Sequence, residues 1–89
     1  MNPVERIFQS SVFLRSLKKL PPELREEVKT KEAIFRKDRF HPHLKTHKLK
    51  GKYRDVWSFS ITRKHRIVFK FIDKNTVLFV DVGDHSIYQ

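Results

Sequence analysis

The sequence predicts an α+β domain of order β-αα-βββ, a helical hairpin packed on a small, mostly antiparallel four-stranded sheet. Three observations carry that expectation. The stretch 56–72, VWSFSITRKHRIVFKFI, alternates apolar and polar residues on two arms around a charged turn. Residues 11–40 show two runs of helical period separated by Pro21-Pro22. Residues 76–82, TVLFVDV, form a further strand-like run after the turn Asp73-Lys74-Asn75. At 89 residues the chain suits one domain, spanning 1–89. A small core is expected at this size, filled in part by eight phenylalanines.

Taken in order, VERIF at 4–8 reads as a short strand. Ser10 or Ser11 suits the N-cap of a first helix. Its apolar stripe is Phe13, Leu14, Leu17 and Leu20, with Lys18 and Lys19 at the end where cations complement the helix dipole. Pro21-Pro22 stops this helix and opens a second, since proline fits a first helical turn. Glu23, Glu26 and Glu27 load the favourable N-terminal half. Leu24, Val28, Ile34 and Phe35 form its stripe, interrupted at Lys31, and His41-Pro42 is expected to end it.

Residues 41–52 read as a basic, histidine-rich connector, with Gly51 marking a turn into the hairpin. In the hairpin, Trp57, Phe59 and Ile61 share one face, as do Ile67, Phe69 and Phe71, so the two rows form one buried surface. Ser58, Ser60, Arg66, Val68 and Lys70 fall on the reverse, expected to be polar and basic. The turn Thr62-Arg63-Lys64-His65 lacks glycine, which predicts a longer loop or a bulge rather than a tight turn. Gly83 ends the last strand and DHSIYQ follows as a short tail.

There is no cysteine, so disulfides and thiolate metal sites are excluded, which suits a reducing cytoplasm. No apolar run approaches the ~18 residues of a membrane span, and MNPVERIF lacks the pattern of a secretory signal. Charge is the dominant compositional fact. The net charge is +10, and residues 36–74 alone carry thirteen basic and three acidic side chains. A field concentrated in that way attracts polyanions, either nucleic acid or an acidic protein.

Two histidines, His47 in the connector and His85 after the last strand, stand at strand ends where loops can meet. Imidazoles titrate near neutral pH and serve as general base and acid. On either side of a phosphodiester, one would deprotonate a 2′-hydroxyl and the other protonate the departing 5′-oxygen. Arg66 is the best placed cation to hold the charged phosphorane. Requiring the 2′-hydroxyl makes such a site specific for RNA. Plainer roles compete: lone histidines are usually polar surface, and Arg66 could pair with Asp81 or Asp55. His41-x-His43-x3-His47 has a metal-like spacing, but its proline-containing loop and nearby lysines oppose a cation, and no metal or other cofactor is expected. Lys45, Lys48, Lys50, Lys52 and Arg54 form an alternating basic edge suited to a phosphate backbone. Trp57 and Tyr53 fit the core better than base stacking, whereas Tyr88 is free to stack on a base.

The runs FHPHLKTHKLKG, WSFSITRKHRIVFKF and VDVGDHSIY resemble the RelE/ParE superfamily of bacterial and archaeal toxin–antitoxin toxins, nearest the YafQ-like and RelE/StbE-type branches. The resemblance covers nearly the whole chain. It implies a β-αα-βββ fold and a cytoplasmic, metal-independent endoribonuclease that cuts mRNA in the ribosomal A site. It also implies an acidic antitoxin partner and a monomer or weak dimer when free. The family's H-x-L-x-G motif falls on His47-Lys48-Leu49-Lys50-Gly51, and its G-x-H motif on Gly83-Asp84-His85. The strand arginine of the H-R-[LI]-V context is Arg66. By this resemblance His47 is the general base, His85 the general acid or a phosphate contact, and Arg66 the transition-state stabiliser. Arg63, Lys64 and the 45–54 edge would bind RNA backbone. Three positions depart from the pattern: Ser60 stands for a histidine, Lys64 for an aspartate, and Asp81 for an arginine. The superfamily also includes ParE-type gyrase inhibitors, which use no nuclease chemistry.

Overall fold

In the computed structural model the expected hairpin forms from β3 (Trp57–Ser60) and β4 (Arg66–Asp73). The structure describes residues 2–51 and 55–88, and for His85 and Tyr88 the backbone alone. β3 and β4 pair antiparallel, with Ser58 opposite Val68 and Ser60 opposite Arg66. β5 (Thr76–Gly83) continues the meander beside β4. The loop is open, as the absence of glycine predicts: the Ile61 and Thr62 N–H groups both donate to the His65 carbonyl. Thr62 Oγ1 in turn accepts the N–H groups of Lys64 and His65, a local bond that replaces a tight turn.

The sheet has five strands rather than four, in the order β1-β5-β4-β3-β2. The additional strand is β2, His47–Lys48, within the segment expected to be a connector. Two residues carry no periodic signal, so β2 exists only because β3 offers it a partner edge. The first strand, β1, runs Arg6–Gln9 rather than 4–8 and pairs parallel with β5. Val4 is buried ahead of it, its N–H donating to the Arg36 carbonyl.

Helix α1 covers Ser11–Lys19 with Ser10 as N-cap, whose Oγ accepts the Phe13 N–H. Phe13 is fully buried, but Leu14 is 44% exposed and does not belong to the buried stripe. Helix α2 covers Pro22–Lys37 and ends earlier than the expected stop at His41-Pro42. Asp38 turns extended there, and its carboxylate takes the Phe40 N–H while the Arg39 N–H reaches the Asn2 carbonyl. These bonds draw the chain out of the helix to tie down the N-terminal segment. A 3-10 turn, Pro42–Leu44, follows and leaves Lys45 in the left-handed region at φ 51°. Arg25 of α2 donates to the Leu20 and Lys18 carbonyls, satisfying the open end of α1.

The core is a phenylalanine cluster between α2 and the sheet. The Phe35 ring stacks on Phe59 at 4.4 Å between centroids and meets Phe69 edge-on at 5.0 Å. Phe79 stands 5.9 Å away and joins Phe13 of α1 to the cluster. Phe59, Ile61, Ile67 and Phe69 are buried as their alternation predicts, and Trp57 and Phe71 pack half-buried at the margin.

At the β4–β5 turn, Asp73 accepts the Asn75 N–H at 2.8 Å. That bond, then one with the Thr76 side chain, holds its carboxyl below the usual carboxylate value of 3.8. A depressed pKa contributes stability above the unfolded value and loses it as pH falls through the folded value. Asp73→Asn should therefore lower stability at neutral pH. Its deficit against wild type should shrink as the acid range is entered, which denaturation at several pH values would measure.

Candidate functional site

The reverse face of the sheet positions the polar residues that the hairpin alternation sets apart from the core. Residues directly opposite one another on neighbouring strands project to the same side. His47 is opposite Ser58, and Ser58 is opposite Val68. Ser60 and Arg66 form the next pair along that same face. Strand spacing and rise place the Cα atoms of His47 and Arg66 about 12 Å apart. Both side chains can then address one group held between them.

Arg66 is half-buried and donates from Nη1 to Ser60 Oγ at 2.9 Å. This bond leans the guanidinium across β3 toward β2. The alternative ion pairs are not made among the described residues. Asp81 accepts from Ser16 Oγ at 2.6 Å and from its own neighbour's N–H, and Asp55 stands 3.7 Å from Lys48. His47 is exposed, with Nδ1 2.9 Å from the Lys45 carbonyl. If Nδ1 carries the proton, Nε2 is left as the free basic nitrogen. Ser58 Oγ, beside His47, is buried without a hydrogen-bond partner among the described residues.

On its other side Arg66 faces Gly83 of β5, two residues before His85. The C-terminal residues His85–Tyr88 form a second 3-10 turn rather than a loose tail. Gly83 permits its close return, because a Cβ there would lie 2.6 Å from Ile87 Cγ2. Ile87, Val12, Val56, Val68 and Val80 line a groove of about 340 Å³. That groove corrects the expectation of a polar, basic reverse face: Ser58 and Val68 are buried, and only part of the face is basic. The backbone therefore brings the His85 turn next to Arg66.

The predicted basic edge divides. Lys45 and Arg63 are exposed and share a groove of about 460 Å³ with Arg66. Lys48 is opposite Trp57, so it projects away from the His47 side. Lys50 and Lys64 are exposed, and Lys64 sits in the hairpin loop. Lys52, Tyr53 and Arg54 lie outside the described residues. The expected core role of Trp57 holds, with its ring against Phe40, Phe69 and Phe71. Sequence reasoning missed Lys31 and His43, which line the groove with Arg66 from α2 and the first 3-10 turn. Lys31 had a signal, since it breaks the apolar stripe of α2.

Comparison with known proteins places the fold. A YoeB/ParE toxin from Agrobacterium tumefaciens superposes with a TM-score of 0.75 at 16% identity, over 91% of this chain and 99% of that one. The RelB-RelE antitoxin-toxin complex from Methanococcus jannaschii matches at 0.71 and 22%, over 91% and 94%. The E. coli DinJ-YafQ toxin-antitoxin complex matches at 0.69 and 16%, over 99% and 98%. No protein-family model matches the chain, and no curated protein sequence does. The chain has the fold of the RelE/ParE toxins, an α+β architecture with two helices on a five-stranded mixed sheet. No helix among the described residues is long and apolar enough to cross a membrane.

Proposed function

We propose that this chain, built on the RelE/ParE toxin fold, is the toxin of a toxin–antitoxin pair and acts as a ribosome-dependent mRNA endoribonuclease. The observation that carries this reading is the shared face of His47 and Arg66, with the His85 turn beginning beside Arg66. His47 Nε2 takes the proton from a 2′-hydroxyl, whose oxygen attacks the adjacent phosphorus. Arg66, already oriented by Ser60, meets the charge that grows on the phosphoryl oxygens. His85 donates a proton to the departing 5′-oxygen. The nucleophile comes from the RNA itself, so no metal ion or other cofactor enters any step. Lys45, Lys50, Arg63 and Lys64 attract the backbone, and Tyr88 stacks on a base. Lys52 and Arg54 extend the same basic segment in sequence.

The partner that silences it is an acidic antitoxin. A net charge of +10 favours such a partner, as do the antitoxin-bound states of two structural neighbours. The cytoplasm, where ribosomes and mRNA are found, is the compartment this activity requires, and the free toxin is a monomer or weak dimer.

One observation favours a second reading, a ParE-type gyrase inhibitor without nuclease chemistry. Asp81 stands where the resemblance expects an arginine, and it is engaged by Ser16. Purified chain added to translating ribosomes and, separately, to gyrase on relaxed plasmid distinguishes the two. The proposal expects cut mRNA and normal supercoiling, and the reverse pair of results would overturn it.

The placement of the C-terminal turn gives a further expected outcome. Gly83→Ala forces Ile87 away and moves the turn that carries His85. Cleavage should fall at least about tenfold, while denaturant unfolding should show a cost of about 1–3 kcal/mol.

A further inference from the structure

The groove beside Arg66 has more cationic groups than one scissile phosphate requires. Lys31, His43, Lys45, Arg63 and Arg66 line it together, drawn from four separate parts of the chain. Lys31 comes from the middle of α2, His43 and Lys45 from the 3-10 turn and its cap, and Arg63 from the hairpin loop. No carboxylate lines it among the described residues. Lys31 is paired with Glu27, one turn back on α2, at 3.0 Å. His43 makes no ring hydrogen bond among the described residues. Its N–H donates to His41 Nδ1 at 3.1 Å, and the two rings meet edge-on at 4.8 Å. The left-handed backbone at Lys45 turns the chain sharply just after His43.

The groove also has a definite place relative to His47. His47 is in register with Ser58, while Arg66 is in register with Ser60, one step nearer the hairpin loop. Arg63 lies further on, in that loop. Arg66 therefore stands between His47 on one side and the cationic groove on the other.

We propose that this groove is a second phosphate subsite, holding a backbone phosphate next to the scissile one, with Lys31 and His43 as its dedicated contacts. The inference rests on the ribonuclease reading for the word scissile. The anion subsite itself rests only on the groove. Its ligand is a sugar-phosphate unit of single-stranded nucleic acid, for which about 460 Å³ leaves room. Arg66 is shared: it donates to Ser60 now and has further N–H groups for phosphate oxygens on both sides. Binding here would fix the register of the strand, so that the next phosphodiester lies between His47 and Arg66.

The test uses a short fluorescein-labelled single-stranded DNA, which has no 2′-hydroxyl and is not cut by this route. Anisotropy titrations over a range of salt give affinity and salt slope for wild type, Lys31→Ala, Lys31→Arg, His43→Ala and Lys29→Ala. Lys29 is exposed on the same helix, paired with Glu26 at 3.7 Å, and does not line the groove. Lys31→Ala and His43→Ala should each weaken binding on the order of tenfold. Lys31→Ala should also reduce the salt slope by about 0.7. Lys31→Arg and Lys29→Ala should bind as wild type does. If Lys31→Ala and His43→Ala bind no worse than Lys29→Ala, the subsite is refuted, even if the wild type cuts RNA. If they weaken binding while the wild type cuts no RNA on ribosomes, the anion subsite stands and the ribonuclease reading fails.

Discussion

Phe35→Ala is expected to cost about 3–5 kcal/mol, the range for emptying a fully buried aromatic position. The Phe35 ring is the only contact that joins α2 to three strands at once among the aromatic pairs described. It stacks on Phe59, meets Phe69 edge-on and lies beside Phe79. Each aromatic pair contributes beyond the area it buries. Truncation therefore leaves a cavity bounded by rings that are held by their own strands and cannot collapse inward. A domain of this size has a total stability of roughly 5–15 kcal/mol, so the variant should be largely unfolded on warming. Urea unfolding at 25 °C would read the loss directly. Phe35→Leu, which keeps most of the volume, should recover a large part of it.

Arg66→Ala should have one of the largest effects on activity. Removing one preorganised donor to a developing oxyanion costs on the order of 10²–10³ in rate. The side chain is half-buried and its hydrogen-bond partner is a serine, so the fold should survive the change. Arg66→Lys restores the charge but not the fork-shaped geometry, and should recover only part of the activity. The readout is the rate of mRNA cleavage on translating ribosomes at saturating toxin, with a thermal melt beside it. Equal rates for wild type and Arg66→Ala would remove Arg66 from the chemistry.

The fold was legible where periodicity is strong. The rows Trp57-Phe59-Ile61 and Ile67-Phe69-Phe71 marked both the hairpin and its buried face. Ser10, Pro21 and Pro22 marked the helix ends by their backbone chemistry. Elements created by tertiary pairing were not legible. β2 is two residues long and is a strand only because β3 lies beside it. Leu14 has the spacing of a core residue, yet Phe13 takes the buried position. The reverse face was read as polar because alternation describes one hairpin at a time. It says nothing of Ile87 returning over Val68 through the gap left by Gly83.

Within the candidate site, Arg66 could be set on the reverse face from alternation alone. That His47 shares this face could not, because its pairing with Ser58 depends on β2. Lys48 shows the complementary limit: the run Lys45, Lys48, Lys50, Lys52 and Arg54 suggests one edge, but the pairing with Trp57 turns Lys48 away from the His47 side. Lys31 and His43 come from elements distant in sequence, so only the folded chain brings them to Arg66.

The central claim is that His47 and Arg66 act on one phosphodiester through the RNA's own 2′-hydroxyl. The chemistry of the cut ends tests it most directly. mRNA recovered from stalled ribosomes treated with purified toxin in the presence of a chelator should carry a 2′,3′-cyclic or 3′-phosphate on the upstream fragment. The downstream fragment should begin with a 5′-hydroxyl, and His47→Ala should abolish both. Fragments with a 3′-hydroxyl and a 5′-phosphate, or mRNA left intact by the wild-type protein, would contradict the account.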